Sequence, residues 1–525
     1  MKLINETIGS YTKKIFNKYA NEEALVYVED GRRYTYKELN KQVDIIAKAF
    51  ISMGVKKDDH IALLSSNSPE WIIVFLATLK IGVVCVCINY LSTEEEIDYM
   101  LKKSESTILI VSDKEMIEKV DVDKFTYLKV TIKMKNLFNL GNLMEKMSRI
   151  SDEELKQVAD SVTPEDIATI LYSSGTTGNP KGILYTHKAI LNGPLSFLEN
   201  YKYTSKDRIL ASLPLNHILG GKYTAFLGLF AGSTIFLMEK FKTGLALQTI
   251  EKERCTGFHG VPTMYRYLLN KSEGYDLSSL RVGMIAGAVT SPTLMKEVME
   301  KLHILELNNT FGQTETLGVT QTTVFDKDDP KINTVGKPVE HVQIKICDYD
   351  TLEEVPINTP GELLVKSPYS MIEYYRDPEA TKKTIVDGWI RTGDFAIIDE
   401  DGYLSIKGRI KDVIIRGGEN LSPTDIENCI TKHPKVANAI VVGVPDNTMG
   451  EEVFAFVKIN ENESLSEEDI LEFLSGKIAK YKFPKYFDFV KEFPLTSTGK
   501  IKRNILKDMA SEKINKKTLE EVAIG

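Results

Sequence analysis

Four short apolar runs recur between helix-like stretches over the first three hundred residues: 107–111 (TILIV), 167–173 (IATILYS), 234–238 (TIFLM) and 282–287 (VGMIAG). Runs this short and this continuously apolar need cover on both faces, and the intervening helices can supply it. The pattern predicts α/β layers around a largely parallel sheet. Local signals agree with it. Thr35-Tyr-Lys-Glu38 and Thr93-Glu-Glu-Glu96 read as capping boxes that open helices, and Asp30-Gly31 reads as a tight hairpin turn. The most apolar stretch, Ile72 to Ile88, contains Lys80 and Gly82 and follows Pro69. A membrane span wants about 20 unbroken apolar residues, so this stretch reads as a buried helix, a glycine stop and a buried strand. Cys85 and Cys87 then share one face of that strand as core residues, with no second Cys/His pair at zinc spacing.

At 525 residues and a formal net charge of −8, a broad basic surface for nucleic acid or anionic membrane is excluded, whereas a local basic pocket is not. Five scattered cysteines do not form a disulfide framework, and the odd count fits a reducing, cytoplasmic setting. The N-terminus, MKLINETIGSYTKKIF, lacks a secretory signal, and no transmembrane segment is expected. After about Asp399 the texture changes to short charged strands (YLSIKG, DVIIRGG, AIVVGV, VFAFVKI) around helices starting at Ser422-Pro423 and at Ser464 to Glu468. This predicts a compact α+β domain at the C-terminus, with the boundary at Gly408-Arg409-Ile410-Lys411. The division is 1–409 and 410–525.

The segment most specific for chemistry is Tyr172-Ser173-Ser174-Gly175-Thr176-Thr177-Gly178-Asn179-Pro180-Lys181-Gly182. It follows a strand and precedes a helix-like run beginning near Thr186. Small residues let backbone N–H groups crowd around an anion, hydroxyls add donors and Lys181 adds charge. It is not a Walker A loop, because Gly178 is followed by Asn179-Pro180-Lys181 rather than directly by Lys-Ser/Thr. Read alone, it could also be an ordinary Ser/Gly/Pro turn.

This loop resembles the phosphate-binding signature of the adenylate-forming superfamily, which contains acyl- and aryl-CoA synthetases, adenylation domains and beetle luciferases. Further matches follow in the same order as in the family. Asn309-Thr310-Phe311-Gly312-Gln313-Thr314-Glu315 resembles the segment that implies an aromatic face on adenine (Phe311, in place of the more usual Tyr), an α-phosphate contact (Thr314) and a Mg²⁺ carboxylate (Glu315). A hard cation bridging polyphosphate oxygens wants a carboxylate with waters in its shell. Gly388-Trp-Ile-Arg-Thr-Gly-Asp394 and Tyr403-Leu-Ser-Ile-Lys-Gly-Arg409 imply ribose binding by Asp394 and Arg409. Pro494-Leu-Thr-Ser-Thr-Gly-Lys500 resembles the family stretch whose lysine bridges the substrate carboxylate and the α-phosphate, so Lys500 would stabilise the charge that develops there. Gly287-Ala288 resembles the segment lining the adenine and acyl sites, and Pro214-Leu-Asn-His217 resembles the one beside the acyl pocket and thiol tunnel. His217 could equally be a hydrogen-bonded core histidine. His259 is expected near the pocket wall without a chemical role.

The resemblance implies two half-reactions. A carboxylate attacks the α-phosphorus of Mg·ATP, giving an acyl-adenylate and pyrophosphate, and a thiol then displaces AMP to give a thioester. No nucleophilic side chain is needed. It further implies a C-terminal domain that rotates about Lys411, withdrawing Lys500 and bringing Gly417-Gly418-Glu419 toward the thiol channel. The pocket candidates, Leu213 to Phe230, His259 to Tyr265, Gly287 to Thr290 and Gly318 to Thr320, are mostly small or apolar and suit a fatty or aryl acid. No Asp lies between Leu213 and Phe230 to pair with an α-amino group. Lys222, the one charge there, reads as an exposed helix residue in preference to a contact for a second carboxylate. CoA is the expected thiol, because the chain ends soon after Lys500; a stand-alone ligase loading a carrier protein is the alternative. A non-catalytic sensor would be expected to have lost Lys500, Glu315 or Asp394, and all three are present. The expected protein is a monomer or homodimer acting on a small carboxylic acid, ATP and CoA.

Overall fold

The structure, a computed structural model, describes the chain except residues 1, 113–117, 119, 122–123, 139–149, 174–178, 418, 447, 496–500 and 525. Each of the four apolar runs contributes a strand: Ile108–Val111, Ile167–Ser173, Thr234–Leu237 and Val282–Ala286. They divide between two sheets rather than building one. A six-stranded sheet runs in the order Val130–Lys133, Ile108–Val111, His60–Leu64, Val84–Ile88, Ile167–Ser173, Lys181–Thr186. It is parallel except for its last pair. A nine-stranded sheet runs Lys337–Pro338, Leu317–Gln321, Glu306–Gln313, Val282–Ala286, Gly257–Gly260, Arg208–Ala211, Thr234–Leu237, Glu23–Tyr27, Arg33–Thr35. It is parallel through its middle and antiparallel at both ends.

The apolar stretch at 72–88 folds as its punctuation indicates. Ser68 caps the helix Pro69–Lys80 by accepting the Trp71 N–H, and Pro69 occupies the first turn, where no amide donor is needed. Gly82 turns the chain at φ +72, and the strand Val84–Ile88 follows with every residue buried. Cys85 and Cys87 share a buried face with their sulfurs 3.9 Å apart, and all five cysteines are free thiols. Both expected capping boxes are present, at Thr35/Glu38 and Thr93/Glu96. No helix among the described residues is long and apolar enough to cross a membrane.

The helix expected near Thr186 is present: Lys181–Thr186 is a strand antiparallel to Ile167–Ser173, and the helix His187–Tyr201 follows it, capped by Thr186. Thr186 is thus both the last strand residue and the cap. One expectation needs correction, at 404–409. These residues belong not to the C-terminal texture but to a five-stranded antiparallel sheet with Gln343–Cys347, Gly361–Lys366, Ile385–Val386 and Trp389–Ile398. Asp399 accepts the Asp401 and Tyr403 N–H groups, and Gly402 takes φ +83, so the charged stretch is a hairpin turn rather than a linker.

The smaller C-terminal domain has its own sheet (Glu419–Leu421, Ile414–Arg416, Gly450–Ile459, Val436–Asp446, with Tyr486–Phe489 alongside). Two apolar clusters, on either side of Val436–Asp446, are made wholly of its residues. Its first helix, Pro423–Ile430, is capped by Ser422, and the next, Glu467–Leu474, by Ser466 within the expected Ser464–Glu468 start.

Two histidines in the larger domain are fully buried. The His187 ring accepts the Ile8 N–H at 3.4 Å, and His259 lies 2.6 Å from the Tyr203 hydroxyl. Burial pushes each down to about 4 from 6.5. Both stay neutral in the fold while the unfolded chain takes up protons below about pH 6.5, so stability is lost as pH falls from 6.5 toward 4. We expect a loss of about 2 kcal/mol per histidine between pH 7 and pH 5, read as a lower apparent melting temperature at pH 5. His187→Asn should shrink that difference; an undiminished difference would mean that His187 is hydrated.

Candidate active site

One strand carries most of the candidate residues. Glu306–Gln313 is parallel to Val282–Ala286 on one side and antiparallel to Leu317–Gln321 on the other. Between the antiparallel pair, the Thr316 hydroxyl accepts the Gln313 N–H at 3.1 Å and folds Thr314 and Glu315 into a tight turn. The approach is so close that a Cβ on Gly312 would lie 2.2 Å from the Leu317 carbonyl oxygen, so no side chain fits there.

A cleft with about 460 Å³ of empty space opens beside this turn. Gly287, Thr310, Gly312 and Thr314 of the expected site line it, together with His217, Leu219, Tyr223, Met284, Leu317 and Gly318. Gly287 follows its strand at φ +86, and exposed Ala288 comes next. Asn309 does not face the cleft. Its side-chain amide donates to the Thr334 carbonyl at 2.8 Å, and its backbone N–H donates to the Thr322 hydroxyl, which makes it a strut. Phe311 is half-buried, pairs with Thr320 across the strands and is not among the cleft-lining residues.

His217 opens a nine-residue π-helical segment, Ile218–Phe226, by accepting the Leu219 N–H on its ring nitrogen at 3.3 Å. It lines the cleft, whereas His259 is a fully buried histidine held among Tyr203, Thr224 and the Tyr223 carbonyl. Gly220 and Gly221 permit the segment, since a Cβ on either would come 2.3 Å from the Pro214 or Leu215 oxygen. Tyr223 holds the opposite wall by accepting the Gly318 N–H at 2.6 Å.

Lys222 is not exposed, contrary to the expectation. It is 1% accessible, with its ammonium 3.8 Å from the Phe75 ring centroid and near Phe226 and Trp71. The wide π-helical turn directs 218, 219 and 223 to the cleft, while 222 and 226 point at the buried helix Pro69–Lys80. Its amine has no hydrogen-bond partner among the described residues, and burial pushes its pKa down.

Two polar clusters flank the cleft. In the first, Asp394 is nearly fully buried and directly opposite Arg409 in adjacent strands. Arg409 Nε lies 2.9 Å from Asp394 Oδ1, Arg409 Nη1 donates to the Thr392 carbonyl at 3.0 Å, and Gln313 donates to Asp394 Oδ2 and to the same Thr392 carbonyl. In the second, the Tyr374 hydroxyl donates to Glu315 Oε1 at 2.9 Å. The ammonium of Lys181 stands 4.6 Å from the Tyr374 ring centroid, and Tyr185 donates to the Thr314 carbonyl. Burial, assisted by the Glu315 charge, raises the Tyr374 pKa, so the phenol is a donor. Ser173 pairs with Lys181 at the mouth of the glycine-rich loop. Ser174, Gly175, Thr176, Thr177, Gly178, Gly418 and Lys500 lie outside the described residues. Lys411, exposed, lies two residues after Arg409 in the short 3₁₀ turn Ile410–Asp412, and Gly417 takes φ +59, with its N–H on the Met449 carbonyl at 2.8 Å.

Gln313 and Tyr374 were not singled out in the sequence. Gln313 stands inside the quoted 309–315 motif and was findable there. Tyr374 lies 59 residues from Glu315 and carries no local signal. The donor set fits a hard divalent cation. Among the described residues, Glu315 is held on one carboxylate oxygen, and no group of three or more His, Cys, Asp or Glu forms a protein-only cage. A cation bound mainly through one carboxylate, phosphate oxygens and water matches that supply.

A cleft at the ends of parallel strands, flanked by a buried carboxylate that pairs with a half-exposed guanidinium and by an apolar wall, suits an α/β enzyme acting on a small molecule. The chain belongs to the AMP-binding enzymes, the adenylate-forming superfamily that its motifs resemble. The family model "AMP-binding enzyme" matches residues 13–375, and "AMP-binding enzyme C-terminal domain" matches 425–500. YngI of Bacillus subtilis, which bears an acyl-CoA synthetase name, is 34% identical over 98% of this chain and 99% of its own. The medium-chain acyl-CoA ligase ACSF2 of Danio rerio is 33% identical over 98% of this chain and 89% of its own. The anthranilate CoA ligase AuaEII, solved in complex with anthranoyl-AMP, superposes with a TM-score of 0.89 at 26% identity, covering 98% of this chain and 99% of the other.

Because the Lys222 amine is turned away from the cleft, Lys222→Met should leave the preference among carboxylic acids unchanged. It should also stabilise the fold by about 1–3 kcal/mol, since the ammonium loses its hydration on burial and gains no hydrogen bond. Thermal unfolding with an acid panel checks both; an altered acid preference would place the amine on the acyl site.

Proposed function

We propose that the chain is an AMP-forming acid–thiol ligase that converts a fatty or aryl acid to its acyl-adenylate and then to the CoA thioester. The reading is carried by one convergence: the turn after Glu306–Gln313 presents Thr314 to a cleft with a mostly apolar wall, while the adjacent Glu315 is held beside it by Tyr374. The polyphosphate end and the acyl end of a mixed anhydride need just these two surroundings. In the first half-reaction a substrate carboxylate oxygen bonds to the α-phosphorus and pyrophosphate leaves. In the second a CoA sulfur bonds to the acyl carbon and AMP leaves.

In this reading the backbone and hydroxyls of 173–178 and the Lys181 ammonium surround the phosphates. Thr314 contacts the α-phosphate, and Gly287, Ala288 and residues 310–312 flank the adenine. Asp394, which is fixed by Gln313, and Arg409 receive the ribose hydroxyls. Lys500 meets the charge that accumulates between the carboxylate and the α-phosphate. Glu315 would hold Mg²⁺, which when bound offsets polyphosphate charge. Catalysis is then positioning and electrostatics. Residues 1–409 and 410–525 are the two moving parts, with Lys411 at the hinge and Gly417-Gly418 arriving beside the His217 channel for the thiol.

The full-length relatives named CoA synthetase or ligase support CoA over a carrier-protein thiol. The name of ACSF2 supports a medium-length fatty acid, and that of AuaEII an aryl acid. The five free, buried thiols support a cytoplasmic setting. A panel of fatty and aryl acids, scored for acid-dependent pyrophosphate, AMP and thioester with CoA or holo-carrier, tests the reading; pyrophosphate release independent of added acid would sink it. Lys500→Ala should lower adenylation by about 10²–10³-fold while supplied acyl-adenylate is still converted to thioester within a few-fold of wild type. Equal loss in both half-reactions would rule out a lysine that serves only the first.

A further inference from the structure

Tyr374 joins two groups that come from different sheets. Its hydroxyl donates to Glu315 Oε1 at 2.9 Å, and the face of the same ring lies 4.6 Å from the ammonium of Lys181. We infer that Tyr374 is a positioning residue that fixes the Glu315 carboxylate and the Lys181 ammonium relative to each other, so that cation and phosphate are received in one geometry. This rests on the reading of Glu315 as the cation-holding carboxylate and Lys181 as a phosphate contact.

The tyrosine is itself held rigidly. Its backbone forms a β-bridge with Ile183, and its N–H donates to the Thr381 hydroxyl at 3.0 Å. On either side, Ile372 N–H donates to the Leu184 carbonyl and Tyr375 N–H to the Gly182 carbonyl at 2.7 Å. Met371 N–H donates to the Glu315 carbonyl at 2.8 Å. The backbone of Glu315 and its carboxylate are therefore gripped by residues three apart on one short segment. A free glutamate side chain loses rotamer entropy when a ligand orders it. A hydrogen bond already in place makes that loss part of folding rather than of binding. Only Oε1 is engaged by a described residue, which leaves Oε2 for a cation. The two contacts on the ring also reinforce each other. A cation over the face makes the phenol a better donor, and donation to a carboxylate enriches the face that the cation meets.

Tyr374 also belongs to the apolar core and is 5% accessible, so a packing role is the competing account. Tyr374→Phe separates the two, because it keeps the ring and removes only the hydroxyl. The measurement is Mn²⁺ binding to the enzyme–ATP complex, by the electron paramagnetic resonance signal of free Mn²⁺, with no carboxylic acid present. ATP binding in EDTA is measured in parallel. Tyr374→Phe should weaken Mn²⁺ by about tenfold and leave metal-free ATP affinity within about twofold. Tyr374→Leu should weaken both, since Lys181 loses its ring. Mn²⁺ affinity unchanged in Tyr374→Phe, or metal-free ATP affinity falling as far as Mn²⁺ affinity, would overturn the inference. Glu315→Gln marks the premise: if it leaves Mn²⁺ binding intact, the assignment of Glu315 fails first and the inference with it. Should Tyr374→Leu not fold, Tyr374→Phe decides alone.

Discussion

The edge strand Lys181–Thr186 leaves one row of backbone groups without a partner inside its own sheet, and the site depends on what meets that row. Segment 371–375 supplies it, pairing with Gly182, Ile183 and Leu184 while Met371 reaches the Glu315 carbonyl of the other large sheet. An open edge is a liability that proteins cover. Here the cover is also the bracket that sets the glycine-rich hairpin against the Thr314–Glu315 turn. Tyr185 strengthens the same link by donating to the Thr314 carbonyl. Neither sheet alone brings Lys181 near Glu315.

The acyl side of the cleft is set by steric exclusion. Gly220 and Gly221 allow the π-helical segment to press against residues 213–215, and Gly312 allows the turn to close against Leu317. Gly318 is as constrained, since a Cβ there would come 2.4 Å from the Phe197 ring. The widened turn splits the segment's side chains between two environments. His217, Leu219 and Tyr223 face the cleft, and Lys222 is carried into aromatic packing at an electrostatic cost. The cleft thereby stays uncharged on its acyl wall, as an apolar acid requires.

What could be read in the sequence divides along the same physical line. Elements governed by local rules were legible: capping boxes at Thr35 and Thr93, the Pro69 helix, the Gly82 stop, and Ser422-Pro423. So were the motif residues, because a contiguous stretch such as 309–315 carries its chemistry with it. The helix start at Thr186 was legible too, whereas the strand before it was not, because its partner strand, Ile167–Ser173, lies across the glycine-rich loop. Leu404–Arg409 shared the texture of the C-terminal strands because its partner strand, Trp389–Ile398, lies across a charged hairpin. Lys222 was misplaced because a π-helical turn changes which residues share a face, and nothing in the pattern marks it.

The net charge of −8 acquires a specific meaning at this site. ATP and CoA are polyanions arriving at an acidic protein, so attraction must be local and short-ranged. The two clusters achieve this differently. Lys181 is held by a neutral aromatic ring and pairs with no carboxylate among the described residues, which suits a phosphate contact. Arg409 is spent on Asp394, yet its side chain remains 47% accessible while the carboxylate is 5% accessible. The fixed member of that pair is therefore the acid, and the member that can move is the base, at the strand end leading directly into Lys411. Beyond it, Lys407–Asp425 and the Ser422 hydroxyl on the Lys407 carbonyl join the domains through polar contacts. Exposed polar contacts of this kind are worth about 1 kcal/mol or less each. A domain rotation about Lys411 would exchange them cheaply while Asp394, Gln313 and the nucleotide stayed where they were.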